Sequence, residues 1–86
     1  MDLEAVLKEQ VGALVRAHRK AAKLTQAELA ERSGVTQSEI SYAERGERLP
    51  TLPRLAVLAH ALGVGLRELV PEMKGNDLDR STEAHT

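Results

Sequence analysis

Apolar or half-apolar side chains fall at Val11, Leu14, Val15, His18 and Ala22, an i, i+3, i+4, i+7, i+11 series that makes one face of an α-helix. Leu3, Val6 and Leu7 carry the same face toward the N-terminus, so the first predicted helix covers about 4–22 and stops near Lys23. After Leu24 the pattern changes. Thr25-Gln26-Ala27-Glu28 is a capping box, in which a Thr oxygen accepts from the backbone N–H three residues on and a Glu reaches back. Thr36-Gln37-Ser38-Glu39 repeats the device eleven residues later, with capping as the favoured role for Glu39. Two helix starts so close together leave room for only about two turns between them. Gly34 sits where that short helix must end. The predicted elements are helices over 26–33 and 37–45 joined by a tight turn, with Ala27, Ala30, Val35, Ile40 and Ala43 as a compact seam. Small residues there let two helices cross closely and steeply, as a helix-turn-helix requires.

Gly46 closes the third helix, and Glu47-Arg48-Leu49-Pro50 is a polar loop. Thr51 caps a fourth helix over 52–62, with Pro53 tolerated in its first turn, Leu52, Leu55, Ala59 and Leu62 as its inward stripe, and Gly63 as its end. A fifth helix over 66–70 is halted by Pro71. The pattern therefore predicts an all-α, five-helix domain over 1–73. The polar segment 74–86, almost without apolar residues, is expected to be a disordered tail.

Composition narrows the function classes. Ala, Leu, Glu, Lys, Gln and Arg dominate, all strong helix formers, and Tyr42 is the only aromatic. With no cysteine there is neither a disulfide framework nor a thiolate metal site. No His has a carboxylate, serine or metal partner at chemical spacing, and no Gly-rich phosphate loop occurs. The expectation is a non-enzyme with no metal and no cofactor. The N-terminus lacks the order of a signal peptide, and the longest apolar stretch, Leu55 to Leu66, is too short to span a bilayer. A soluble, cytoplasmic protein without a membrane partner is expected. The formal net charge of −1 hides an uneven distribution: between Arg16 and Arg54 there are eight basic residues against five acidic ones. What a polyanion meets is that local field.

Leu24-Thr25-Gln26-Ala27-Glu28-Leu29-Ala30-Glu31, then Gly34-Val35-Thr36, Ile40-Ser41 and Glu44-Arg45-Gly46 resemble the Xre family, the helix-turn-helix family of phage repressor and Cro proteins. Pro50-Thr51-Leu52, Leu55, Ala59, Leu62-Gly63-Val64 and Leu69 continue the likeness, which covers Val11 to Val70. The resemblance implies a lambda-repressor-like bundle whose third helix lies in the DNA major groove, in a bacterial or phage-encoded regulator associated with the nucleoid when bound. It implies that Gln26 meets a phosphate, that Gln37 and Ser38 open the recognition helix with Tyr42 one turn further on, and that Arg19 and Glu44 form a structural ion pair between helix 1 and the end of helix 3. Ala43 departs from the pattern, standing where a larger aliphatic is common, so a looser seam is expected there. The first ten residues also lengthen helix 1 beyond the family minimum.

On this frame Gln37, Ser38 and Tyr42 are the expected base-reading residues. An amide matches adenine N6 and N7, a hydroxyl bonds either base or phosphate, and a tyrosine ring packs on a thymine methyl or bonds a phosphate. The blander account of Gln37, a solvated helix N-terminal residue, is outweighed by docking geometry that brings these N-terminal positions nearest the bases. Gln26, Thr36, Arg45, Arg48, Lys23, Arg16 and Arg54 are the expected phosphate-binding set. One such module reads too little sequence to find a site in a genome, so a homodimer on a palindromic double-stranded operator is expected. Val64, Leu66, Leu69 and Val70 are its first surface and the long first helix its second. Two alternatives stay open: an antitoxin-type regulator that also binds a toxin protein, for instance through the C-terminal tail, or a protein-interaction module of this fold without DNA binding.

Overall fold

The computed structural model describes residues 2–72, so the 74–86 tail and the domain boundary at 73 lie outside the described residues. Four α-helices follow in order: α1 (Leu3–Ala21), α2 (Gln26–Ser33), α3 (Gln37–Glu44) and α4 (Leu52–Leu62). The expected fifth helix is instead a single 3-10 turn, Leu66–Leu69. Gly65 offers it no side-chain cap, and Val70 is already extended, so no α ladder has room to form. No strand occurs among the described residues, and no helix among them is long and apolar enough to cross a membrane.

Each α-helix starts on a side-chain oxygen. Asp2 accepts from the Ala5 N–H, Thr25 from Glu28, Thr36 from Glu39 and Thr51 from Arg54. The Thr25 box closes both ways, with Thr25 N–H donating to Glu28 Oε1 at 2.8 Å and Glu28 N–H to Thr25 Oγ1 at 3.0 Å. The second box closes only halfway. Thr36 Oγ1 accepts at 3.1 Å, but the Glu39 carboxylate turns away to Arg54, so the purely capping role expected for Glu39 is corrected. Between α2 and α3 the chain turns on Gly34 at φ +79, a left-handed conformation that costs a residue without Cβ little.

The core gathers one stripe from every element: Val11 and Val15 of α1, Leu29 of α2, Ile40 of α3, Leu55, Leu58 and Ala59 of α4, Leu69 of the 3-10 turn, and Leu24 and Val35 from the turns. A buried Leu or Val contributes about 1.5–3 kcal/mol relative to exposure. Three expectations change. Leu52, the first residue of α4, is 64% exposed, and the inward stripe of α4 is Leu55, Leu58, Ala59 and, half-buried, Leu62. Ala27 is exposed because the inward positions of α2 are Gln26, Leu29, Ala30 and Ser33, which leave it on the flank. Leu69 is fully buried against α1 and α4 and is therefore a core residue, not part of a dimer surface. Val64 and Leu66 are half-buried against the same core, and only Val70 of the four is exposed.

The α1–α3 contact is tight rather than loose. A Cβ added at Gly12, buried in α1, would stand 2.1 Å from the Ala43 carbonyl oxygen, and Ala43 itself is buried. Glycine at position 12 lets the α1 backbone touch the α3 backbone at Ala43, where any Cβ on residue 12 would clash.

Gly12→Ala tests this contact. The substitution gains about 1 kcal/mol of helix propensity, but the new methyl meets backbone that cannot swing aside, and overpacking costs about 1–3 kcal/mol or more. The expected outcome is a lower melting temperature by circular dichroism; a variant at or above wild type would refute the close approach. A second expectation concerns acid. Hydrogen bonds from the Thr25 backbone and hydroxyl hold the Glu28 carboxyl below the ordinary carboxylate range. Its contribution to stability is therefore present above the unfolded-state pKa and is lost as pH falls through the lower folded one. Glu28→Gln should narrow the difference in melting temperature between pH 7 and pH 3, and an unchanged difference would count against the box.

Candidate nucleic-acid interface

Arg19, near the end of α1, is the fastening point for α3. Its Nε donates to Glu44 Oε2 at 2.7 Å and its Nη2 to Glu44 Oε1 at 2.9 Å, a planar fork on a carboxylate. Its Nη1 donates to the Leu24 carbonyl at 2.8 Å, and Leu24 N–H returns a bond to the Arg19 carbonyl. Gln26, opening α2, donates from Nε2 to Glu44 Oε1 at 3.1 Å. The two charged side chains are only 12% and 4% exposed, and no buried side-chain nitrogen or oxygen among the described residues lacks a partner. The Glu44 hydrogen bond raises the Arg19 pKa above its ordinary value, so the guanidinium stays charged. The structural pair expected from the resemblance is thus present, and it has a third member: Gln26, expected at a phosphate, spends an amide hydrogen on this cluster.

With α3 held by its inner face, its outer face is free. Gln37 and Ser38 are exposed on the first turn and make no side-chain hydrogen bond among the described residues. Tyr42 follows Ser38 at i+4 and is half-buried, outside the core cluster and beside two guanidinium groups. Arg45 lies 5.2 Å and Arg48 4.6 Å from its ring centroid, both within cation–π range. Arg45 Nη1 also donates to Ser41 Oγ at 2.6 Å, and its Nε is paired with Glu47. The arrangement fixes one aromatic ring and two cations at the C-terminal end of the helix whose N-terminal end carries the amide and the hydroxyl.

The remaining expected phosphate-binding residues are spread differently. Thr36 is exposed, with its hydroxyl engaged as the α3 cap. Arg54, in the first turn of α4, reaches the Glu39 carboxylate of α3 and lines a groove with Glu39, Arg48, Leu49, Pro50 and Thr51. The bond from Arg54 holds the Glu39 carboxyl below the ordinary range, with the Arg54 and Arg48 charges acting in the same direction. Lys23 is exposed in a left-handed turn at φ +60 between α1 and α2, and Arg16 is exposed on α1. Neither belongs to the Tyr42 cluster. Sequence reasoning missed Glu39, Glu47 and Ser41 as partners of these arginines. Arg45 and Glu47 are two apart, a spacing that does not meet on a helix. They meet because α3 ends at Glu44 and the chain turns at Gly46, the only signal that could have found them. Among the described residues no group of three or more His, Asp or Glu is placed to hold a metal.

Arg19→Ala strands the Glu44 carboxylate in a site with almost no water. The expected loss is about 3–5 kcal/mol, at about 4–8 °C per kcal/mol for a domain of this size. Arg19→Lys should recover only part, because an ammonium cannot copy the fork. A drop of one or two degrees in Arg19→Ala would overturn the fastening role.

The family model described as Helix-turn-helix matches residues 15–69, more than half of the chain. Among curated proteins the chain is similar to an HTH-type transcriptional regulator, y4dL, of Sinorhizobium fredii, 40% identical over 78 residues that cover 86% of this chain and 39% of that protein. It is also similar to the immunity repressor protein of Bacillus phage phi105, 39% identical over 62 residues, 72% of this chain and 43% of that one. The chain thus spans less than half the length of these two relatives. Among solved structures, the restriction-modification controller protein C.AhdI from Aeromonas hydrophila superposes with a TM-score of 0.70 at 37% identity, covering 72% of this chain and 94% of that one. The Thr25 cap, the Gly34 turn and the fastened α3 all lie inside the matched span, and the chain belongs to the helix-turn-helix family.

Proposed function

We propose that this protein is a sequence-specific transcriptional regulator that binds double-stranded DNA as a homodimer and represses from a palindromic operator, with α3 in the major groove. The observation that carries the reading is the outer face of α3, where Gln37 and Ser38 are exposed and uncommitted among the described residues, one turn before a tyrosine braced by Arg45 and Arg48. An amide offers adenine paired donor and acceptor, a hydroxyl serves a base or a phosphate, and the braced ring suits a thymine methyl or the sugar-phosphate edge. Arg45, Arg48, Lys23, Arg16, Arg54 and Thr36 supply phosphate contacts. Gln26 contributes its remaining amide hydrogen at the start of α2, where free backbone N–H groups also favour a phosphate. The repressor sense follows the likeness to the phage immunity repressor. A dimer doubles a short readout and sets half-sites about one helical turn apart. Val70, with the edges of Val64 and Leu66, is the apolar surface left for it at that end of the fold.

The test is selection from random duplex DNA with the intact protein beside a Gln37→Ala/Ser38→Ala variant, with light scattering of the protein free and on the selected duplex. The expected result is a palindromic motif, lost or altered in the variant, and a dimer on the duplex. Enrichment without a motif removes sequence specificity. No enrichment at low salt removes DNA binding and turns attention to protein partners.

A further inference from the structure

Of the three exposed arginines beside α3, Arg45, Arg48 and Arg54, two are already paired with carboxylates in the free protein. Arg45 is held by Glu47 and Arg54 by Glu39, whereas Arg48 has no salt-bridge partner among the described residues. These pairs are not core devices. Their side chains are 56% and 51% exposed in the first and 51% and 32% in the second, and exposed ion pairs contribute about 0–1 kcal/mol to stability. Their larger effect falls on the field that an approaching polyanion meets. A phosphate that takes a paired arginine leaves a carboxylate beside it, so that exchange neutralises no net charge on the DNA and releases no counterion. Glu39 is well placed for this effect: it lies in one groove with Arg48 and Arg54, and both cations act on its carboxyl.

We propose that Glu39 and Glu47 are affinity-limiting residues of the DNA interface, each holding an arginine on a carboxylate so that sequence-independent attraction to phosphate is kept low. The proposal rests on the DNA-binding reading above. It accounts for three arginines gathered beside α3 in a chain of net charge −1. Attraction that ignores sequence is reduced by two charges, and discrimination falls to the side chains that meet base edges. The carboxylates also aim the arginines: Arg45 is gripped by Glu47, Ser41 and the Tyr42 ring together.

The experiment measures binding to a random-sequence duplex by fluorescence anisotropy across a salt series, for wild type, Glu39→Gln, Glu47→Gln and the double variant. Glu68→Gln serves as a control, since it removes an exposed carboxylate on the 3-10 turn that packs against α1 and α4. Each released arginine should steepen the slope of log K against log salt by about 0.9 and raise affinity at 0.1 M salt on the order of tenfold. The double variant should show about twice the change in slope, and Glu68→Gln little change. Circular dichroism should show all of them folded, since both pairs are exposed. Binding with an unchanged slope in the double variant overturns the proposal and leaves the DNA reading standing. An equal rise in Glu68→Gln also overturns it, because net charge alone would then explain the effect. No binding by any form at the lowest salt overturns both.

Discussion

A single guanidinium decides where α3 lies. Arg19 clamps both oxygens of Glu44 and the Leu24 carbonyl, while Gln26 donates to the same carboxylate, so the end of α1, the α1–α2 turn, the start of α2 and the end of α3 meet in one hydrogen-bonded cluster. A hydrophobic replacement of equal volume could match its stability, because taking two charges out of water offsets much of their attraction. What an apolar contact lacks is direction. The fork is planar and short, and it allows α3 one orientation against α1.

The Gly12–Ala43 contact works with that clamp. Nonpolar side chains between two helices can slide by a rotamer, but backbone against backbone cannot, and α3 is seated on α1 at both its hydrogen-bonded end and its small-residue face. The consequence for function is rigidity without bulk. In an eight-residue helix with Ile40 and Ala43 as its buried residues, the inner face is fully used for attachment and the outer face is left to Gln37, Ser38 and Tyr42. Side chains carried on so short a helix stay in register with one another and the rest of the surface only if the helix itself does not rock.

The electrostatics follow a different logic from the core. The least exposed charges form one satisfied pair, Arg19 and Glu44, whereas Arg45 and Arg54 are exposed with their carboxylate partners on the same surface. Removing half of the Arg19–Glu44 pair destabilises the fold through the stranded charge. Exposed pairs govern little of the stability and much of the approach of a charged partner. Tyr42 stands between these regimes, an aromatic ring kept out of the core and held by two cations.

Most of the architecture was legible in local chemistry. Caps at Thr25, Thr36 and Thr51, the Gly34 turn and the 3.6-residue stripe of α1 each act within a few residues, so sequence alone determined four helices, their order and the helix-turn-helix. Arg19 and Glu44 were legible through resemblance, not spacing, since 25 residues separate them. Tertiary structure decided what depends on meetings across the chain. It placed Leu69 in the core, exposed Leu52, brought Glu39 to Arg54 and Glu47 to Arg45, and set Gly12 against the Ala43 backbone. The physical reason is range. A cap or a helical stripe is satisfied by neighbours that the chain always supplies, whereas a side chain's partner on another helix is determined only when the helices have packed.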